Sequence, residues 1–216
     1  MADLEKFRNE TRAWLAANCP PDMRLPFADE DDRYWGGRNA TFKSDGQRLW
    51  FERMAARGFS VLRFNFRGVG RSQGSFDHGT GELSDAASAL DWAQTINPEA
   101  RACWVAGFSF GAWIGMQLLM RRPEVEGFIS IAPPANLYDF SFLAPCPSSG
   151  LIVHGEKDAV VPPKDVNTLV EKLKTQKGIV IDQQIIPGAN HFFDGKLEPL
   201  METVTGYLDM RLANVR

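Results

Sequence analysis

Beyond residue 58 the apolar positions switch repeatedly between short strand-like runs and a period near 3.6. Phe59-Ser60-Val61-Leu62-Arg63-Phe64-Asn65-Phe66 alternates and is rich in β-formers, which predicts a strand. Leu83, Ala86, Ala87, Leu90 and Ala93 share one face of an amphipathic helix from Glu82 to Ile96. Trp104 to Ala106 is a short apolar run that predicts a buried strand, and an apolar helix follows to about Arg121. Gly127 to Ile131, Leu151 to His154 and Val180 to Ile186 predict further strands. Val166 to Leu173 is helical, and Leu197, Leu200, Met201, Val204, Tyr207 and Leu208 mark a final helix. Strands that alternate with helices predict an α/β fold: a mainly parallel sheet flanked by helices.

Residues 1–58 read differently. Leu4, Phe7, Thr11, Trp14 and Leu15 form a helical stripe that Pro20-Pro21 ends. A polar, turn-rich stretch from Asp29 to Asn39 follows. A second helix is predicted from about Asp45 to Ala56, closed by Gly58. No strand is evident here. The chain therefore divides into a helical N-terminal segment, 1–58, and an α/β domain, 59–216. The run Asp29-Glu30-Asp31-Asp32 lacks the spacing of a calcium loop and reads as a solvated surface.

Composition narrows the function classes. The 216 residues can enclose one sizeable core, and 44% hydrophobic with 24% charged residues is the balance of a water-soluble globular chain. A net charge of −3, with no basic cluster, speaks against a nucleic-acid partner. Cys19, Cys103 and Cys146 are odd in number and far apart, which points to a reducing compartment. The acidic start is no signal peptide, and no run has the length of a membrane span. The expectation is a cytoplasmic protein without a membrane partner.

The chemistry centres on Gly107-Phe108-Ser109-Phe110-Gly111, a G-x-S-x-G turn set between a strand and a helix. So sharp a turn strains Ser109, and the missing Cβ atoms of Gly107 and Gly111 let neighbouring elements pass close by. The Phe110 N–H, at the helix start, is placed to face an oxyanion. A serine hydroxyl needs a base, and an imidazole orienting against a carboxylate supplies one. Asp158 follows the strand 151–154, and His191 follows the strand 180–186. Parallel strands bring Ser109, Asp158 and His191 to one carboxyl edge of the sheet. Glu156 and Asp165 are the rivals of Asp158, although Asp165 suits the start of a helix. His78 reads as an exposed loop residue and His154 as a packed one. Gly68, Gly70 and Gly74 have the wrong spacing for a dinucleotide fingerprint, and no helix starts at that turn. Tyr138, Phe140 and Phe142 are open between an acyl pocket and packing. No cofactor or metal is called for.

Two resemblances add to this reading. From about Phe59 onward the chain resembles bacterial α/β-hydrolases, in the small cap-less group of dienelactone hydrolases and short esterases. The matching stretches are Arg63 to Gly68, Gly70 to Gly74, Gly107 to Trp113, Ser130 to Pro133, Gly155 to Asp158 and Pro187 to Phe193. The resemblance implies a serine hydrolase acting on a small-molecule ester or related acyl bond. Phe7-Arg8, Arg12 to Leu15, Asn18 to Pro21, Tyr34 to Gly37 and Gln47 to Trp50 resemble the N-terminal helical region of bacterial acyl-CoA dehydrogenases. The flavin-contacting and catalytic parts of that family have no counterpart here, so this likeness implies ancestry only. The hydrolase resemblance departs at its start: its first three strands, and the loop that supplies a second oxyanion donor, have no evident match. Only Trp35-Gly36-Gly37 is faintly similar. Two consequences are expected. The strand at 60–66 pairs directly with that at 103–106, or a strand comes from another chain in a homo-oligomer. Hydrolysis then runs with one oxyanion donor, Phe110, and is impaired. The alternatives are a hydrolase-like fusion with weak or lost activity, and an acyl-CoA dehydrogenase-related protein.

Overall fold

The computed structural model describes residues 58–70 and 72–213. The helices expected before Gly58, and the acyl-CoA dehydrogenase-like stretches, lie outside the described residues. Within them, strands β1 (Cys103–Phe108), β2 (Val125–Ile131), β3 (Gly150–Gly155) and β4 (Ile181–Ile186) form a parallel sheet in the order β1-β2-β3-β4. Helix α1 (Thr80–Ile96) precedes β1, and α2 (Phe110–Leu119) joins β1 to β2. Helix α3 (Pro163–Lys174) joins β3 to β4, and α4 (Leu197–Ala213) closes the described chain. This is the α/β architecture that the alternation of periods predicts.

Helices cover both faces of the sheet. On one face Met116 and Leu119 of α2, with Val166, Val170 and Leu173 of α3, pack on Phe128 and Ile152. On the other, Leu200, Val204 and Leu208 of α4 pack on Ile129, Leu151 and Val153. Covered on both sides, β3 is buried along its whole length, which is why it reads as a continuous apolar run. Helix α1 begins two residues earlier than the apolar stripe suggests. The reason is polar: the buried Glu82 carboxylate accepts the backbone N–H groups of Asp77 and Gly79, each at 2.8 Å, and so pins the incoming loop to the first turn.

One expected strand is absent. The alternating stretch 59–66 carries no ladder, and β1 pairs with β2 alone among the described residues, so the direct pairing of 60–66 with 103–106 is not formed. Alternation reports which side chains can share a face; a strand also needs a neighbour's N–H and C=O groups. The segment is anchored by rings instead. Phe66 meets Phe64 edge-on at 5.2 Å and Phe110 at 5.8 Å, while Val61, Leu62 and Phe64 stay exposed. The loop after it is tied to α1 by Arg67, whose guanidinium and backbone N–H both donate to the Asp85 carboxylate.

Candidate active site

The turn from β1 to α2 places Ser109 at φ 50° and ψ −117°, a strained conformation for a residue with a Cβ. Its N–H donates to the Ile131 carbonyl at 2.8 Å, and its own carbonyl accepts from Ala112 at 2.9 Å. The backbone is thus held from both sides while the hydroxyl points forward. Gly107 makes the turn feasible, because a Cβ there would overlap the Gly111 backbone. Gly111 itself has open space around its Cβ position, so the expectation that both glycines are needed for close passage holds for Gly107 alone.

Asp158 and His191 arrive from the exits of β3 and β4, as parallel strands require. His191 Nε2 lies 3.0 Å from Ser109 Oγ, and His191 Nδ1 lies 2.7 Å from Asp158 Oδ2. The second carboxylate oxygen, Oδ1, accepts the N–H groups of Val160 at 2.9 Å and Val161 at 2.8 Å. All three side chains are buried. A carbonyl or carboxylate only accepts, so the Asp158 contact puts the hydrogen of a neutral His191 on Nδ1 and leaves Nε2 free to receive a proton from Ser109. Phe110 is the first residue of α2, and a first-turn N–H has no acceptor within its helix.

The rivals are placed elsewhere. The exposed Glu156 accepts the Gly188 N–H and braces the two loops. Asp165 sits in the first turn of α3, behind Pro162 and Pro163. His78 is an exposed loop residue, edge-on to Phe76. Gly68, Gly70 and Gly74 all have positive φ, as turn residues do, and α1 starts only at Thr80. Phe140 is buried in the core with Phe142 stacked on it, whereas Tyr138 stacks on Trp113 at 4.4 Å and meets Phe110 at 5.7 Å. No group of three or more His, Cys, Asp or Glu among the described residues could hold a metal ion, and no described helix is long and apolar enough to cross a membrane.

The geometry has clear relatives. Residues 22–146 match the family model of the X-Pro dipeptidyl-peptidase (S15 family). The chain belongs to that family, and so to the α/β hydrolases. The match crosses position 58. An uncharacterised protein of Rickettsia prowazekii is 54% identical over 155 residues, which are 70% of this chain and 65% of that one. The chain thus spans less than two thirds of that relative. A crystal structure of a protein of unknown function from Agrobacterium tumefaciens is 65% identical, with a TM-score of 0.75 over 82% of this chain and 81% of that one. A serine hydrolase without a lid from Xanthomonas campestris is 33% identical, with a TM-score of 0.62 over 82% of this chain and 76% of that one.

The sequence reads His154 as a packed residue, which the structure bears out, but not its place beside Asp158. His154, at the end of β3, is fully buried beside Asp158, with Nε2 3.6 Å from Oδ2 of the carboxylate. The signal was its spacing: β3 ends in a short exit turn that folds Asp158 back toward the strand.

Proposed function

We propose that this protein is a serine hydrolase that cleaves carboxylic esters or related acyl bonds. The observation that carries the reading is the continuous hydrogen-bonded line Ser109 Oγ, His191 Nε2, His191 Nδ1, Asp158 Oδ2, mounted on a strained elbow. Ser109 Oγ attacks the carbonyl carbon as its proton passes to His191 Nε2. The carbonyl π pair moves onto oxygen, and the Phe110 N–H faces that oxyanion. Asp158 stabilises the imidazolium, which then gives its proton to the departing alkoxide. Water attacks the acyl-enzyme in the second half, with the same proton movements, and releases the acid.

The short connection from β2 to β3, residues 132–149, supports a site without a cap. The family description favours a second reading, release of an X-Pro dipeptide, which uses the same triad. A cytoplasmic setting fits the widely spaced cysteines.

Intact-mass labelling with a fluorophosphonate tests the proposal. One adduct on the native protein, lost in Ser109→Ala, is the expected result; a folded native protein without an adduct overturns it. Turnover of a p-nitrophenyl ester against an X-Pro p-nitroanilide then separates the two substrate readings.

A further inference from the structure

The proposed reaction leaves one buried titratable side chain unused. His154 Nε2 lies 2.9 Å from the Val161 carbonyl oxygen. A carbonyl only accepts, so Nε2 carries the hydrogen. Nδ1 is buried with no hydrogen-bond partner among the described residues. A bare lone pair there costs less than an N–H without an acceptor or a buried cation. Burial also pushes the His154 imidazole below its ordinary range, with the Asp158 carboxylate only partly opposing. His154 is therefore a neutral ring with its hydrogen on Nε2.

Its two neighbours lead straight to the triad. The Val161 carbonyl accepts from His154, while the Val161 N–H donates to Asp158 Oδ1 at 2.8 Å. One residue thus links the imidazole to the carboxylate. The same Oδ2 that meets His191 at 2.7 Å has the His154 N–H edge 3.6 Å away. That is too long for a hydrogen bond, yet close enough for its field to matter in a buried site. The titratable groups acting on His154 are Asp158 and His191.

We propose that His154 is a positioning residue for the hydrolysis: it ties residues 158–161 to the end of β3 and shares the Asp158 carboxylate with His191. This rests on the hydrolase reading above. The partial positive charge of the His154 N–H draws the carboxylate field away from His191. Without His154, residues 158–161 lose their tie to the end of β3, and the carboxylate that orients His191 is held by the Val160 and Val161 N–H groups alone.

The test is imidazole nitrogen NMR on the full chain, native and with His154→Leu or His154→Gln, across about pH 5 to 9, the range in which histidine titrates. The chain has three histidines, so the spectra assign readily. In the native protein His154 stays neutral with its hydrogen on Nε2. In His154→Leu the His191 Nδ1 resonance moves from its native position, because the carboxylate it donates to is no longer held from the β3 side. On p-nitrophenyl butyrate, kcat falls about tenfold with KM changed less than about twofold, the pattern of a base held out of line. His154→Gln, whose amide can still donate to Val161, restores most of kcat. A native His154 with its hydrogen on Nδ1, or an unmoved His191 Nδ1 resonance in His154→Leu, overturns the proposal. Should His154→Leu not fold, the native tautomer and the Gln variant decide. If the His191 Nδ1 resonance moves while the native protein neither turns over the ester nor takes up the fluorophosphonate, the hydrolase reading fails and the coupling of His154 to His191 stands.

Discussion

Gly107 and Gly111 look equivalent in G-x-S-x-G, and the structure separates them. A Cβ on Gly107 would drive into the Gly111 carbonyl and the Ala112 nitrogen, both backbone atoms with nowhere to go. Gly107→Ala should destabilise by roughly 1–3 kcal/mol, the range for inserting a methyl into a packed site, and should abolish labelling of Ser109 by displacing the elbow. A Cβ on Gly111 meets open space within α2, so Gly111→Ala should be neutral or stabilise by up to about 1 kcal/mol, as alanine does over glycine in a helix. Chemical denaturation of both variants checks the pair. A large loss at Gly111 would mean that the turn is not packed as described.

Elements are held here by polar clamps as much as by apolar faces. Arg67 bridges the loop after residue 66 to α1 through Asp85, and its hydrogen bond holds the Asp85 carboxyl below the usual carboxylate range despite some desolvation. A lowered folded-state value means that this contribution is present above the ordinary carboxylate range and is lost as pH falls through the lowered one. Asp85→Asn should therefore lower the melting temperature at neutral pH, and the gap to the native protein should close as pH falls below the ordinary carboxylate range. A gap that persists in acid would show that packing, not the ion pair, is what the variant loses. Glu82 clamps the same loop through two backbone N–H groups. Neither acid lies on the apolar stripe by which the sequence marks this helix. Their partners sit in a loop that the helical period does not describe.

At the scale of the whole molecule, the layers set where stability resides. β3 is central, paired on both sides and covered on both faces, and Leu151, Ile152 and Val153 are fully buried. Hydrogen exchange should find its amides the slowest of the described chain, and Leu151→Ala should cost about 2–5 kcal/mol. β1 has one described neighbour and an uneven burial, with Phe108 42% exposed beside the His191 ring. Its amides should exchange faster than those of β3, and equal protection in both strands would count against this layering.

The one-dimensional pattern determined the fold class, the order of Ser109, Asp158 and His191, and their arrival at one edge of the sheet. Each is a local matter: periodicity sets an element's type, and parallel strands leave their exits on the same side. Tertiary structure alone decided whether 59–66 is a strand, because a ladder depends on a neighbour that periodicity does not name. It alone decided which glycine of the elbow is indispensable and set His154 beside Asp158, because close approach is a property of folded space.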